Sequence, residues 1–508
     1  MKKYLFTAIT FFSVLACAMP TWGLDVDFSG SYRVRGFTNS NVILDGSPGK
    51  DVATASYWDM RFRLKTDFTV TENLSVTTRF DALNKNWGTS DNPSDTLTAG
   101  QPSEKNNIDW DVAYMTIKTP VGGILAGRFN GAPWGTPFGD SNTFDDQIVY
   151  VLPIGNFTFA ALARKMSEDD GDNNPNSGAP LHYLNGWTVS DADNDRYYIT
   201  GSYKTENFKT GLLCTYYNMK NFVDAGSSKT TALGLSGAPV EAGVYVFDPY
   251  FIGKFGDFGL QGEWFYGFGE IDYPAIGGAV YADGTPVPNI PENFLSPTGE
   301  SRDIKVWAFD MMGTYDLGPF VFEGGYAVAS GAVLGADNGS EYNGFGFVEQ
   351  SDEWGKAFLI NGYWDGFNEI DNLGGPGLGS TGKRLGRSAA AGFNEWYLGL
   401  TYKPLDNLDF VFRYINAKAD KVFEGGYGAD PWDDDYGNEY DLYVNWTPYE
   451  NLKLSLVGAY LDAGDYWKGG YLPTINPFTG QPGTPVAIEV KEKVDDNMCL
   501  YANLTLSF

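Results

Sequence analysis

The chain is poor in the residues from which most soluble active sites are built. Its 508 residues include one histidine and three cysteines. Cys17 falls in the leader discussed below, while Cys214 and Cys499 stand far apart in strand-like segments. Two cysteines make no disulfide framework, and with a single histidine they make no Cys/His metal spacing. His182 sits in "GAPLHYLNGW", where no neighbouring motif orients it as a base. It reads as a loop histidine, and hydrolase chemistry finds no footing. No phosphate-binding glycine loop is present. Cations are scarce too. Lys and Arg number 35 against 64 Asp and Glu, a formal net charge of −29, which argues against nucleic acid as a partner. Past residue 23 no run of about 18 apolar residues occurs, so no helix of this chain crosses a membrane.

What is abundant points elsewhere. Aromatics make up 16% of the chain and glycines number 63, a balance that suits strands and tight turns better than helices. At the N-terminus Lys2 and Lys3 precede the apolar stretch Tyr4 to Met19, and Pro20 and Gly23 follow it. This reads as a secretory signal over residues 1–23, with residues 24–508 as one unit. A lipoprotein box at Val14-Leu15-Ala16-Cys17 is the rival reading, with Leu an unusual residue before the small one.

One pattern recurs through residues 24–508: an alternating run, a short turn, then another alternating run. In "MRFRLKTDFTVTENLSVTTRFDA" (60–82) one face carries Met60, Phe62, Leu64 and Phe68, then Leu74, Val76 and Phe80. The other carries Arg61, Arg63, Lys65, Asp67, Arg79 and Asp81. Side chains alternate across a strand, so one face is apolar and the other charged. The unit returns at 397–415 and 440–460, and its turns "TVTENL", "KPLDNL" and "TPYENL" are close variants. Further hairpins read at 108–130, 145–165, 195–219, 243–268 and 304–330. With a first strand near 26–37 and a last near 497–508, about 18 strands result, 16 being possible.

The connections alternate in length. The hairpin turns are short, and the stretches between hairpins (38–56, 85–107, 131–144, 166–194, 220–242, 269–303, 331–393, 419–436, 462–496) are long and rich in Gly, Pro, Asn and Asp. Short turns on one side and long loops on the other predict an all-β fold: a transmembrane antiparallel up-and-down β-barrel with short periplasmic turns and long extracellular loops. Tyr402, Tyr414, Trp446 and Tyr460 fall near strand ends, as interfacial girdles do. The terminal "LYANLTLSF" alternates to the last residue. No strand edge can stay open in a bilayer, so this strand is expected to pair with the first, around residues 27–37.

With these residues in view, the chain resembles the bacterial outer-membrane porins. Phe508, with Leu506 and Leu504 at alternate places before it, resembles the end signature read by the barrel assembly machinery. "SYRVRGF" (31–37) and "MRFRLKTDF" (60–68) resemble the opening strands of trimeric porins of sulfate-reducing bacteria and of alginate-export-type barrels. "GGILAGRF" (122–129) resembles the strand before the constriction loop of general porins. The resemblance implies a bacterial outer-membrane location among lipid and lipopolysaccharide, a homotrimer, and a constriction loop at Gly131 to Asp146 with Trp134, Asp140, Asp145 and Asp146 as candidates. It implies a water-filled channel for passive diffusion of small hydrophilic solutes and ions, and no enzyme. A substrate-specific channel or polysaccharide exporter is the alternative within transport. A structural or adhesive outer-membrane barrel is the alternative outside it.

The chemistry of a pore is electrostatic selection. The charged face offers Arg33, Arg35, Arg61, Arg63, Lys65, Arg79, Arg128, Arg164 and Arg413 as cationic lining. The acidic candidates are Asp67, Asp81, Glu263, Asp310, Glu323, Glu395, Asp409 and Asp441. Basic residues crowd the first strands and acids the later ones, which predicts a transverse field across the lumen. The competing reading is mixed charge that neutralises itself. Outside the strands, "SEDDGD" (167–172), "DADND" (191–195) and "DPWDDDYG" (430–437) read as solvated acidic loops. Asp191, Asp193 and Asp195 alternate as in a calcium loop, but the glycine and distal glutamate are missing. Loosely held divalent cations are expected there, with no specific metal site and no cofactor. Lys383, Arg384 and Arg387 form a basic cluster in an acidic chain and read as an exposed loop, with an inward anion site or lipopolysaccharide contact as alternatives.

Overall fold

A computed structural model describes residues 25–40, 55–87, 108–131, 133–140, 144–167, 193–220, 241–272, 301–331, 341–342, 355–360, 392–422, 431, 433–468, 470–472, 486–488 and 496–508. The signal segment, His182, Asp191 and the cluster Lys383, Arg384 and Arg387 lie outside the described residues.

Eighteen long strands form the wall: β1 (Asp25–Ser40), β2 (Ala55–Thr71), β3 (Leu74–Asn86), β4 (Ile108–Thr119), β5 (Gly122–Asn130), β6 (Phe144–Ile154), β7 (Phe157–Ser167), β8 (Asn194–Lys204), β9 (Phe208–Met219), β10 (Glu241–Phe255), β11 (Phe258–Asp272), β12 (Ser301–Leu317), β13 (Phe320–Ala329), β14 (Phe393–Leu405), β15 (Leu408–Lys418), β16 (Asp435–Tyr449), β17 (Leu452–Ala463) and β18 (Asn497–Ser507). Each pairs antiparallel with its sequence neighbours, and β18 pairs with both β17 and β1. The sheet therefore closes, as the alternation at the C-terminus predicts. A two-residue strand, Glu341–Tyr342, lies parallel to the start of β12, and Gly470–Leu472 pairs with Val486–Ile488.

The eight expected hairpin turns are present, at 72–73, 120–121, 155–156, 205–207, 256–257, 318–319, 406–407 and 450–451. All of them lie at one end of the barrel, because each joins an even-numbered strand to the odd-numbered one that follows it. At the seam the backbone N–H of Gly30 donates to the carbonyl of Phe508 at 2.8 Å, and the Phe508 N–H donates to the Gly30 carbonyl at 3.0 Å. A Cβ at Gly30 would sit 2.4 Å from the Arg63 carbonyl oxygen and 2.7 Å from the Phe508 ring. Glycine is what lets the terminal aromatic close over the first strand, where its ring stacks on Phe62 at 6.0 Å.

The outside of the wall is apolar and exposed. Near the turns stand Phe157, Phe208, Phe255, Phe258, Phe320, Tyr402, Trp446 and Tyr449. Toward the other end stand Trp58, Trp110, Tyr197, Tyr245, Trp307, Trp396, Tyr440 and Tyr460, with aliphatic residues such as Leu398, Leu442, Leu500 and Leu504 between the belts. Several of the second belt's polar tips are tied down on the surface: Tyr326 Oη donates to Asn394 at 2.8 Å and Trp396 Nε1 to Asn416 at 3.1 Å. So large an exposed apolar band, bounded by two aromatic girdles, belongs in a bilayer.

Wall height is uneven. Strands β4 to β9 have 9 to 12 residues, while β1, β2, β10, β11, β12 and β16 have 15 to 17. The low wall and the high wall also differ inside, as described below. The seam predicts a stability effect. Gly30→Val forces the Arg63 backbone and the Phe508 ring apart, and overpacking of this kind costs about 1–3 kcal/mol. Urea titration of the detergent-folded barrel should show a lower midpoint for Gly30→Val, with Ser29→Val as the neighbouring control.

Candidate permeation site

The charged face of the first four strands makes an arginine ladder inside the barrel. Register places Arg33 opposite Arg61 and Arg35 opposite Asp59 across β1 and β2. Across β2 and β3 it places Arg63 opposite Asp81 and Lys65 opposite Arg79. The ladder is laced with carboxylates. Arg35 reaches Asp59 at 2.7 Å, Arg63 reaches Asp81 at 2.7 Å and Asp111 at 3.4 Å, and Arg79 reaches Asp111 at 2.5 Å. Arg61 lies 3.7 Å from Asp81, Arg33 lies 4.0 Å from Asp59, and Lys65 pairs with Asp67 at 2.8 Å. Asp59 and Asp111, absent from the sequence-derived set, thus complete the ladder. A register shift between Arg79 and Phe80 turns Asp111 inward beside Val112, and no simple alternation count finds that.

The stretch of high wall from β10 to β18 is different. Its inner face is apolar in the half away from the turns: Val244, Val246, Ile304, Val306, Ala308, Ile415, Ala417, Tyr436, Leu461 and Cys499 are buried there. They pack around a segment that folds into the barrel, residues 355–360, in which Ala357, Phe358, Leu359 and Ile360 are all buried. Three carboxylate-held backbone N–H groups fix this segment. Lys356 N–H donates to Glu395 at 2.6 Å, Leu359 N–H to Glu439 at 2.6 Å and Ile360 N–H to Glu439 at 3.0 Å. The Lys356 side chain is itself buried, within electrostatic reach of Asp310. The Trp467 indole N–H closes the cluster, donating to the Tyr436 carbonyl at 2.8 Å.

A second inward segment, residues 133–140, connects β5 to β6. Glu263 accepts both the backbone N–H of Thr136 at 2.6 Å and its hydroxyl at 2.5 Å. Trp134 Nε1 donates to the Asp248 carbonyl at 3.1 Å, and its ring meets Tyr250 edge-on at 5.0 Å. Gly135 has φ +65°, and a Cβ there would lie 2.6 Å from the Glu263 carboxylate oxygens. The carboxylate thus replaces the side chain that position lacks.

These placements correct several expectations. Glu263, Asp310, Glu395 and Asp441 do sit on the inner face, but buried beneath the inward segments. Glu263, Glu395 and Asp441 accept from the backbone of those segments and Asp310 faces Lys356 and Tyr397, so they form no acidic wall toward water and the expected transverse field loses its negative side. Glu323 lies there too, bound to Arg413 Nε at 2.6 Å, and Asp409 accepts from Asn445 Nδ2 at 2.8 Å. Arg164 points inward and pairs with Asp145 at 3.2 Å. Arg128 points outward, paired with Asp146 at 3.5 Å. Its side chain is 48% exposed, whereas the adjacent Phe129 is 8% exposed and faces in. The reason is parity: apolar Phe129 joins Tyr114 and Val149 inside, which leaves Arg128 for the rim. Of the four loop candidates only Trp134 and Asp140 belong to the inward segment, where Asp140 accepts from the Trp134 N–H at 3.0 Å. Asp145 and Asp146 are already strand β6. Asp193 and Asp195, the described part of the acidic triplet, both pair with Lys165.

Between the arginine ladder and the Trp134 segment a cleft remains open along the low wall, about 560 Å³ in volume. Its floor is Val112, Leu125, Val149, Val151, Ala160 and Leu162, and Lys65, Arg79, Arg164 and Lys209 stand around it. A smaller opening of about 290 Å³ lies at the turn end by Lys204, Lys254 and Thr314, and it shares Lys209 with the cleft.

No protein-family model and no curated protein matches the chain. Among solved structures it is similar to OccK8 (OprE) of Pseudomonas aeruginosa, at 12% identity over 95% of this chain and 98% of that one, with a TM-score of 0.48. It is similar to OccAB1 of Acinetobacter baumannii at 13% identity over 95% and 97%, with a TM-score of 0.48. The outer-membrane protein OmpT of Vibrio cholerae, solved in a trimer form, gives 11% identity over 96% and 99%, with a TM-score of 0.37. At these identities nothing those proteins bind passes to this chain.

The anchoring carboxylates generate a testable consequence. Glu263→Ala strands two donors of Thr136, and a buried donor left without its acceptor costs about 1–3 kcal/mol. The Trp134 segment should then leave the wall part of the time. In planar bilayers Glu263→Ala should show a larger mean single-channel conductance and more current noise than the parent. Equal traces would mean that the segment does not narrow the path.

Proposed function

We propose that the chain is a porin of the bacterial outer membrane that lets small hydrophilic solutes and ions cross by passive diffusion. One observation carries this: a closed barrel with a lipid-suited outside keeps, along its low wall, a cleft lined on one side by an arginine ladder. A barrel that served only to anchor or to adhere has no use for such a passage. The inward segments fill the high-wall side and spare the low-wall side, which favours a narrowed channel over a plugged one. The secretory leader, the barrel-assembly signature at Leu504, Leu506 and Phe508, and a homotrimeric assembly in contact with lipid and lipopolysaccharide complete the proposal.

Reconstitution of the refolded mature chain in a planar bilayer is the decisive test. Ohmic steps grouped in threes are expected, and a salt gradient gives the charge preference from the reversal potential. Replacing Arg61 and Arg63 by Gln should move that potential toward cations. An unmoved potential would remove the ladder from any role in selection, and silence from properly folded, heat-modifiable protein would sink the channel reading.

A further inference from the structure

The floor of the low-wall cleft is the wrong chemistry for a passage that carries only water and salt. Lumen-facing positions of a wet barrel are polar, yet here Val112, Leu125, Val149 and Leu162 lie side by side. Register confirms that they share the inner face, with Leu125 opposite Val149 and Val149 opposite Leu162. Wetting this floor costs about 25 cal/mol per Å² of apolar surface. An apolar body that covers it recovers that cost.

The cations around the floor are already engaged. Lys65 is held by Asp67, Arg79 by Asp111 and Arg164 by Asp145. Arg79 also lies over the Phe144 ring at 4.6 Å, Arg164 over Tyr198 at 5.2 Å and Lys209 over Tyr250 at 5.0 Å. These contacts fix the cations in place and offset part of their charge, although Asp111 serves Arg63 as well as Arg79 and Lys209 meets a ring face with no carboxylate beside it among the described residues. One polar group there is not engaged: the hydroxyl of Tyr250 is buried and has no hydrogen-bond partner among the described residues. Tyr250 lines the cleft beside Trp134. A buried hydroxyl without a partner is costly and calls for one.

We infer that this cleft is a saturable binding site for small aromatic solutes bearing one hydrogen-bonding group, for which the ring is the required feature. The ring lies on the aliphatic floor, and its polar substituent meets the Tyr250 hydroxyl. A space of about 560 Å³ accommodates a one- or two-ring molecule and falls in the usual range of small-ligand pockets. The inference rests on the channel reading, because the solute reaches the site through the lumen.

The test uses one ring with three charges. Benzyl alcohol, benzoate and benzylamine are added in turn to the refolded barrel in a planar bilayer, and the block of the salt current is titrated. Glycerol and lactate serve as solutes without a ring. In parallel, isothermal titration calorimetry of the detergent-folded barrel reads binding without conduction. All three ring compounds should block and bind, benzoate the most tightly because four cations line the cleft, and the two controls should do neither. Tyr250→Phe should weaken benzyl alcohol about three- to tenfold, and Leu162→Asn with Val149→Thr should weaken all three ring compounds about tenfold. Block by benzoate alone would overturn the inference in favour of an anion site. A salt current that no ring compound blocks, with no heat of binding, would overturn it while leaving the channel intact. Binding heat in a barrel that passes no current would retain the site and overturn the channel reading.

Discussion

Everything in this molecule depends on the rule that a backbone N–H or C=O facing lipid has to find its partner within the protein. An open sheet breaks that rule at both edges, so the wall must close, and it does so where β18 meets β1. Closure fixes the parity of every strand at once. Each outward residue then faces lipid or headgroup, which is why the outer surface is so uniform in Leu, Phe, Tyr and Trp. The inner face has no comparable uniformity, because a lumen can hold water, salt bridges or protein.

A wall of eighteen strands encloses more space than its own side chains can fill. The chain fills part of it with backbone from the loops, and backbone brings unpaired N–H groups inward. The carboxylates of the high wall answer that need. Glu439 takes two amides of the 355–360 segment, Glu395 a third, and Glu263 takes both donors of Thr136. A carboxyl group has two oxygens and can accept several hydrogen bonds at once. Acids buried in this way hold the inward segments and contribute little to the field a passing ion feels.

That division explains what could be read from the sequence. The alternating runs and the recurring "TVTENL", "KPLDNL" and "TPYENL" turns carry the strand number and the closure, because membrane geometry imposes them residue by residue. The ladder positions Arg33, Arg61, Arg63 and Asp81 follow from the same parity. Arg128 breaks the pattern because its strand alternates weakly: in "GGILAGRF" apolar residues occupy both parities. The buried core of the high wall had a visible signal that simple alternation passes over. "GVYVF" and "YAVA" are apolar on both faces, the mark of a strand covered on both sides. What covers them, residues 355–360, lies far along a long connection, and the folding of a loop into a lumen is a tertiary event that no local spacing encodes. The same holds for the partnership of Thr136 with Glu263, more than a hundred residues apart.

The net charge of −29 is therefore a poor guide to what passes through. The acids nearest the inner surface of the high wall are covered, and those of the low wall are matched to arginines. What stays accessible is a ladder of six cations only partly offset by Asp59, Asp67, Asp81 and Asp111, facing an apolar floor. Partly offset charges still orient a dipole and still repel a badly placed ion, but over a shorter range than free ones, because the neighbouring carboxylates cancel much of the field. In such a passage the shape and wettability of the floor carry more of the discrimination than the sum of charges. The short strands β4 to β9 fit this geometry: the apolar floor runs across a low wall, so a solute meets one site, not a long greasy track.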